Sequence, residues 1–339
     1  MTAALWERVD AMIDSAPGVV DLRAHGLHLL AARRWRSLGR PVAASLVKDE
    51  LRAAFTLHNV LGVLREIRAA CDGPVIVLKG PVVSALYPDP ALRPFYDLDL
   101  LVPNPVAARQ SLLASGFQQS GDPRHYQHVF HHEWPVRSPN FPVDVELHSE
   151  PKWVGGLDAP PVNVLLSAAE PAALDVDDIL TLSPAHHALV LAAHLWAHDP
   201  LARFLRVVDV ALMAEASERR ELNALADAWG MARLWHATMA IADALLVGAR
   251  PRPWSLRTWG RSACRLREPS VFEVHLGRCI APFWVLPPYR ASQALGVALS
   301  GYVRRQPGEP WRRKLRRTGR QLARPSMRRS EHVRSIESE

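Results

Sequence analysis

Two aspartates one residue apart, Asp97 and Asp99, stand in the run Asp97-Leu98-Asp99-Leu100-Leu101-Val102. Strand side chains alternate between faces, so both carboxylates share one face and the apolar residues take the other. A second run, Val143-Asp144-Val145-Glu146-Leu147-His148, alternates in the same way and sets Asp144, Glu146 and His148 on one face. If the two strands are neighbours, Asp97, Asp99 and Asp144 crowd together, and three adjacent carboxylates repel unless positive charge lies between them. One or two divalent cations answer that need. Mg²⁺ is the expected ion for oxygen ligands beside a substrate phosphate, with Mn²⁺ as a substitute. Upstream, Lys79-Gly80 closes the apolar run Pro74 to Leu78 and precedes Pro81. Glycine permits close approach of the chain to a ligand, and a helix start offers free N–H groups to an anion. Lys79, Gly80 and Arg93 are therefore the candidates for nucleotide phosphates. Asp97, Asp99 and Asp144 are the candidates for metal ligation and catalysis, in a site suited to phosphoryl or nucleotidyl transfer.

Taken singly, these signals are weak. Asp-x-Asp is common on strands, Lys-Gly is common in surface loops, and the second strand reads equally as a half-exposed edge. Their order along the chain is what gives them weight. Glu146, His148, His131, His132, His194 and Arg206 are candidates to line a substrate pocket. His194 and His198 are one helical turn apart, but no glutamate follows the first of them as a zinc protease requires. Three cysteines, with no CxxC pair among them, indicate neither a disulfide scaffold nor a zinc ribbon.

The elements that must position these residues follow from texture. Residues 1–72 read as helical, rich in Ala, Leu and Arg. Residues 73–150 read as a small α/β core, with strands at 74–78, 97–102 and 143–148 and a helix from Pro105. Residues 151–300 read as mostly helical: a crossing loop with a short helix at 151–183 leads into helices at 184–198, 200–214, 219–229 and 231–246, while 250–290 shows no clean period. Residues 301–339 are a basic tail. The chain has 339 residues, 48% hydrophobic and 22% charged, with a formal charge of +7. Of its 41 Lys and Arg, twelve fall in 301–339 against four Glu, so the tail holds +8 and the rest −1. A near-neutral body gives no basis for a nucleic-acid partner. The tail suits an anionic membrane surface or an acidic protein. The start lacks a signal-like pattern and no apolar run is long enough to span a bilayer, so the expectation is a cytoplasmic protein with peripheral membrane contact through the tail.

The string Leu78-Lys79-Gly80, then Leu86-Tyr87-Pro88-Asp89-Pro90, then Arg93-Pro94-Phe95-Tyr96-Asp97-Leu98-Asp99-Leu100-Leu101-Val102, resembles an uncharacterised nucleotidyltransferase family. That family is part of the DNA polymerase beta-like nucleotidyltransferase superfamily. The strand 143–148 and the helical stretch from His194 to Asp209 agree with it. The resemblance implies an α+β fold: a small mixed-sheet nucleotidyltransferase core with N-terminal helices and a C-terminal helical domain. It also implies that Gly80 marks the phosphate-holding turn, Asp97 and Asp99 the metal pair, and Asp144 the third carboxylate. The superfamily turn is usually Gly-Ser, and Lys79-Gly80 departs from it. The function expected is Mg²⁺-dependent transfer of a nucleoside monophosphate from an NTP to a small-molecule or peptide acceptor. An inactive binding or scaffold protein on the same fold is the alternative, and other phosphoryl transfer with the same metals is a third reading.

Overall fold

Val75, Ile76 and Val77 are β-branched and all buried, and they form strand β1 (Val75–Val77). We describe the chain from a computed structural model covering residues 2–121, 133–141, 143–197, 200–248, 264–303 and 310–323. Strand β2 (Asp97–Leu101) lies antiparallel to β1, pairing Ile76 with Leu101 and Val77 with Leu100. Farther along, β3 (Gln118–Gln119), β4 (Val136–Arg137) and β5 (Asp144–His148) follow. Strand β5 runs parallel to β2 in unbroken register: Asp97 meets Asp144, Asp99 meets Glu146, and Leu101 meets His148. Strands β6 (Ala169–Pro171) and β7 (Ile179–Leu182) complete the order β3-β4-β5-β2-β1-β7-β6 among the described residues, with β7 parallel to β1.

A parallel pair cannot be joined by a tight turn. Between β2 and β5 the chain passes through the helix Pro105–Ala114, which starts on proline and is capped by Asn104, whose Oδ1 accepts from the Ala107 N–H at 3.0 Å. Leu98, Leu100, Val145 and Leu147 pack on one face of the sheet with Val60, Leu64 and Ile67 of the long helix Ala44–Ala70. On the other face, Ile76, Leu78 and Leu101 join Leu165, Leu182 and Val190. The register is thereby locked. A slip of one residue would carry Leu98 and Leu100 to the polar face and both aspartates into the core. On this second face, the row that begins with buried Leu101 continues through Asp99 to Asp97 at the exposed end of the strand.

The helix Pro184–Ala197 packs on the second face and also belongs to a larger helical core. That core joins the N-terminal helices Thr2–Asp14, Val19–Ala24 and His28–Ser37 to the helices Phe204–Glu215, Arg219–Ala228 and Ala232–Ala242. The architecture is α+β, with N-terminal helices, a central mixed sheet and a C-terminal helical region, as the sequence indicates. Helices expected at 184–198, 200–214, 219–229 and 231–246 are present within a few residues. The stretch 151–183 differs. Besides the short helix Val162–Ser167 it supplies β6 and β7, so the sheet draws on chain beyond residue 150. Four residues of Ile-Leu-Thr-Leu are too few for a period to declare itself. The segment from Leu266, opaque to periodicity, contains the helix Val271–Ile280 with a Ser270–Glu273 capping box.

Two buried polar features hold the site's surroundings. Asp209, 3% exposed, accepts from Arg93 Nε and Nη2, each at 2.9 Å, and from the Tyr87 hydroxyl at 2.7 Å. This joins the segment before β2 to the helical core. Asp209→Ala leaves a buried guanidinium without its partner and should cost about 3–5 kcal/mol. Urea unfolding is expected to show most of that loss recovered in an Arg93→Met/Asp209→Leu double variant.

The second feature is His187, whose Nε2–H donates to the Leu78 carbonyl at 2.6 Å where β1 leads into Lys79. Burial pushes its pKa down from 6.5 to about 4. In the unfolded chain the imidazole protonates near its ordinary value, so the unfolded state binds the extra proton first as pH falls. The stabilisation is complete above about pH 6.5 and is lost between there and about pH 4, amounting to about 3 kcal/mol. His187→Gln should flatten the stability curve across that window. An unchanged slope would contradict the assignment.

Candidate active site

Asp99 is the centre of the arrangement. Its carboxylate is 3% exposed, yet charged groups meet it from two directions. His148 Nε2–H donates to Oδ1 at 2.9 Å, and the Lys79 ammonium lies 2.8 Å from Oδ2. Burial alone would raise the Asp99 pKa, but Lys79 and His148 together hold it well below the usual carboxylate range. For His148, burial opposes the charge, and the bonds to Asp99 and Glu146 overcome it and raise the pKa. Glu146 Oε2 lies 3.6 Å from the same imidazole nitrogen.

The parallel register produces this cluster directly. It sets Glu146 beside Asp99, with His148 one alternation farther along β5. Asp99, Glu146 and His148 each offer a ligand atom, and these atoms lie within 4.8 Å of one another. A nearly buried carboxylate requires compensating positive charge. Two carboxylates and one imidazole are a donor set that could hold a divalent cation in place of the ammonium. Asp97 stands at the solvent end of the same row. Desolvation by the surrounding protein raises its pKa, and the charge of Asp99 raises it further.

Lys79 enters from the turn between β1 and the short helix Pro81–Ser84. Gly80 takes φ +67°, a conformation L side chains rarely adopt, although a Cβ there would make only ordinary contacts with Leu98 and Phe95. The Ser84 hydroxyl sits beneath, within bonding distance of the Gly80 and Arg93 carbonyls at 2.9 and 3.1 Å. The lysine where the superfamily usually has Gly-Ser thus reaches the carboxylates from the turn. Its Nζ also donates to His194 Nε2 at 3.0 Å. Burial lowers the His194 pKa far below its usual value, and the nearby Lys79 and Arg206 charges add to the effect. A neutral His194 is the acceptor that Lys79 needs.

The remaining sequence candidates fall in different places. Asp144 is opposite Asp97 in register, but its carboxylate is 2.7 Å from Arg137 on β4 and lies outside the Asp99–Glu146–His148 group. Arg93 is committed to Asp209 and reaches Asp97 only through its charge. Arg206 is within electrostatic range of His194 and of Lys152. His131 and His132 lie outside the described residues. Lys152 was not evident from sequence. Burial lowers its pKa, as does Lys79, while Glu146 opposes the shift, which places it among the same charges. The only hint was its position just after β5, in Pro151-Lys152-Trp153.

Comparison with curated proteins found no match, and comparison with solved structures found none. A family model described as uncharacterised nucleotidyltransferase matches residues 21–247, a span that includes the whole sheet and most of the helical core. The chain belongs to the uncharacterised nucleotidyltransferase family, within the DNA polymerase beta-like superfamily.

Proposed function

We propose that the chain is a divalent-metal-dependent nucleotidyltransferase. It would move a nucleoside monophosphate from an NTP, ATP included, to a hydroxyl or phosphate of a small molecule or peptide. The observation that carries this reading is the register of β2 against β5, which gathers Asp99, Glu146 and His148 beside Lys79 in a chain of this family.

Asp99, Glu146 and His148, the last after giving up its Nε2 proton, would hold the cation, with Asp97 at the open side. The oxygen donors suit Mg²⁺, and the imidazole is tolerated well by Mn²⁺. When bound, such an ion supplies Lewis-acid polarisation of phosphoryl oxygens and eases deprotonation of the attacking hydroxyl. The chain's own groups do the rest. Asp97, whose pKa is raised by burial and by the Asp99 charge, would accept the acceptor's proton. The acceptor oxygen bonds to the α-phosphorus and the α–β anhydride bond breaks. Pyrophosphate then leaves toward the cationic side, where Lys79 and Lys152 stand.

A second reading rests on the Lys79–Asp99 contact itself. A lysine that permanently neutralises the cluster would make this a binding or scaffold protein on an inherited fold. The two readings separate by titration. Mn²⁺ binding followed by electron paramagnetic resonance, and Mg²⁺-nucleotide binding by calorimetry, should each weaken at least about tenfold in Asp97→Asn/Asp99→Asn. Equal binding by the wild type and the variant would sink the metal assignment. Pyrophosphate release across the four NTPs is the matching activity assay.

Lys79 is expected to compete with the cation for Asp99. Lys79→Met should bind Mn²⁺ roughly tenfold more tightly without nucleotide, because a charge close to the site is removed, while nucleotide affinity falls. Cation affinity left unchanged or weakened would contradict that role.

A further inference from the structure

No helix among the described residues is long and apolar enough to cross a membrane, and the helix Trp311–Leu322 is strongly cationic. Six of its twelve residues are Arg or Lys and none is acidic. It packs against the helix Val271–Ile280. An amphipathic helix docked for structural reasons turns its apolar residues inward. In the first turns of this helix the reverse holds. Lys314 is 8% exposed, whereas Trp311 is 48% exposed and Leu315 66% exposed.

Residues four apart stack into rows along a helix. Trp311, Leu315 and Gly319 make one row, and Arg312, Arg316 and Arg320 make the row beside it; all six are exposed. An apolar row next to a cationic row, both facing out, matches the boundary between lipid headgroups and acyl chains. Trp and Leu enter the apolar side and the guanidinium groups reach the phosphates. The neighbouring helix Val271–Ile280 also exposes Phe272 and Leu276, one turn apart, adding apolar surface on an element that contacts this helix. A purely polyanionic partner would use the arginines and leave the apolar row in water.

We propose that the outward face of Trp311–Leu322 docks the protein on an anionic phospholipid surface, with Trp311 and Leu315 inserted and Arg312, Arg316 and Arg320 on headgroup phosphates. This stands independently of the catalytic reading. The test is flotation of the full chain with phosphatidylglycerol–phosphatidylcholine vesicles and with phosphatidylcholine vesicles, at low and high salt. Wild type should float with the anionic vesicles at low salt and much less with neutral ones. Trp311→Ser/Leu315→Ser and Arg312→Gln/Arg316→Gln/Arg320→Gln should each weaken partitioning about tenfold or more, the second also removing most of the salt dependence. None of these side chains belongs to a hydrophobic core cluster, and circular dichroism of each variant checks that the fold is kept. Failure of the wild type to float overturns the proposal. So does undiminished flotation of Trp311→Ser/Leu315→Ser, which would point to simple charge attraction of the kind an acidic protein offers.

Discussion

A carboxylate removed from water must be matched by positive charge, and the arrangement around Asp99 follows from that demand. The residue is buried because β2 lies between β1 and β5 with a helix over its face. Its two oxygens are met from different parts of the chain: His148 comes from the adjoining strand, and Lys79 comes from the turn after β1. Lys79 is in turn steadied by His194, whose neutrality is enforced by burial. Charge balance thus ties together β1, β2, β5 and the helix Pro184–Ala197. On the proposed function, an incoming cation and the lysine would serve the same carboxylate, and nucleotide phosphates would give the displaced ammonium somewhere to go.

The same constraint explains why the sheet and the helical half are joined so firmly. Arg93 lies close to the acidic face and would have been a plausible phosphate ligand. Instead it is paired with Asp209, buried with it, and braced by Tyr87. The bidentate geometry fixes the segment leading into β2, and so fixes where Asp97 begins. A guanidinium committed in this way holds the segment in place.

Much of the site was legible because strands have a period of two. Asp97 with Asp99, and Asp144 with Glu146 and His148, announce a shared face in five or six residues. What could not be read is the register between strands, since it is set by core packing of Leu98, Leu100, Val145 and Leu147 rather than by the acidic residues. That register puts Glu146, not Asp144, beside Asp99. Partners distant in sequence were equally hidden. Asp209 is 116 residues from Arg93 and His194 is 115 from Lys79, and neither spacing leaves a local trace. Long helices were read well from composition and period, while β7, four residues long, lacked the length to show a pattern. The capping box at Ser270 and Glu273 was present in the sequence and marks the start of a helix that periodicity did not find.

On the proposed function, Asp99, Glu146 and His148 form a cation site from which Lys79 is displaced when nucleotide and metal arrive. A crystal structure grown with Mn²⁺ and a non-hydrolysable NTP, with data collected for anomalous scattering, tests it most directly. An anomalous peak coordinated by Asp99, Glu146 and His148 is expected, with the Lys79 ammonium moved onto a phosphate oxygen. Lys79 still seated on Asp99, with no peak at the cluster, would contradict it.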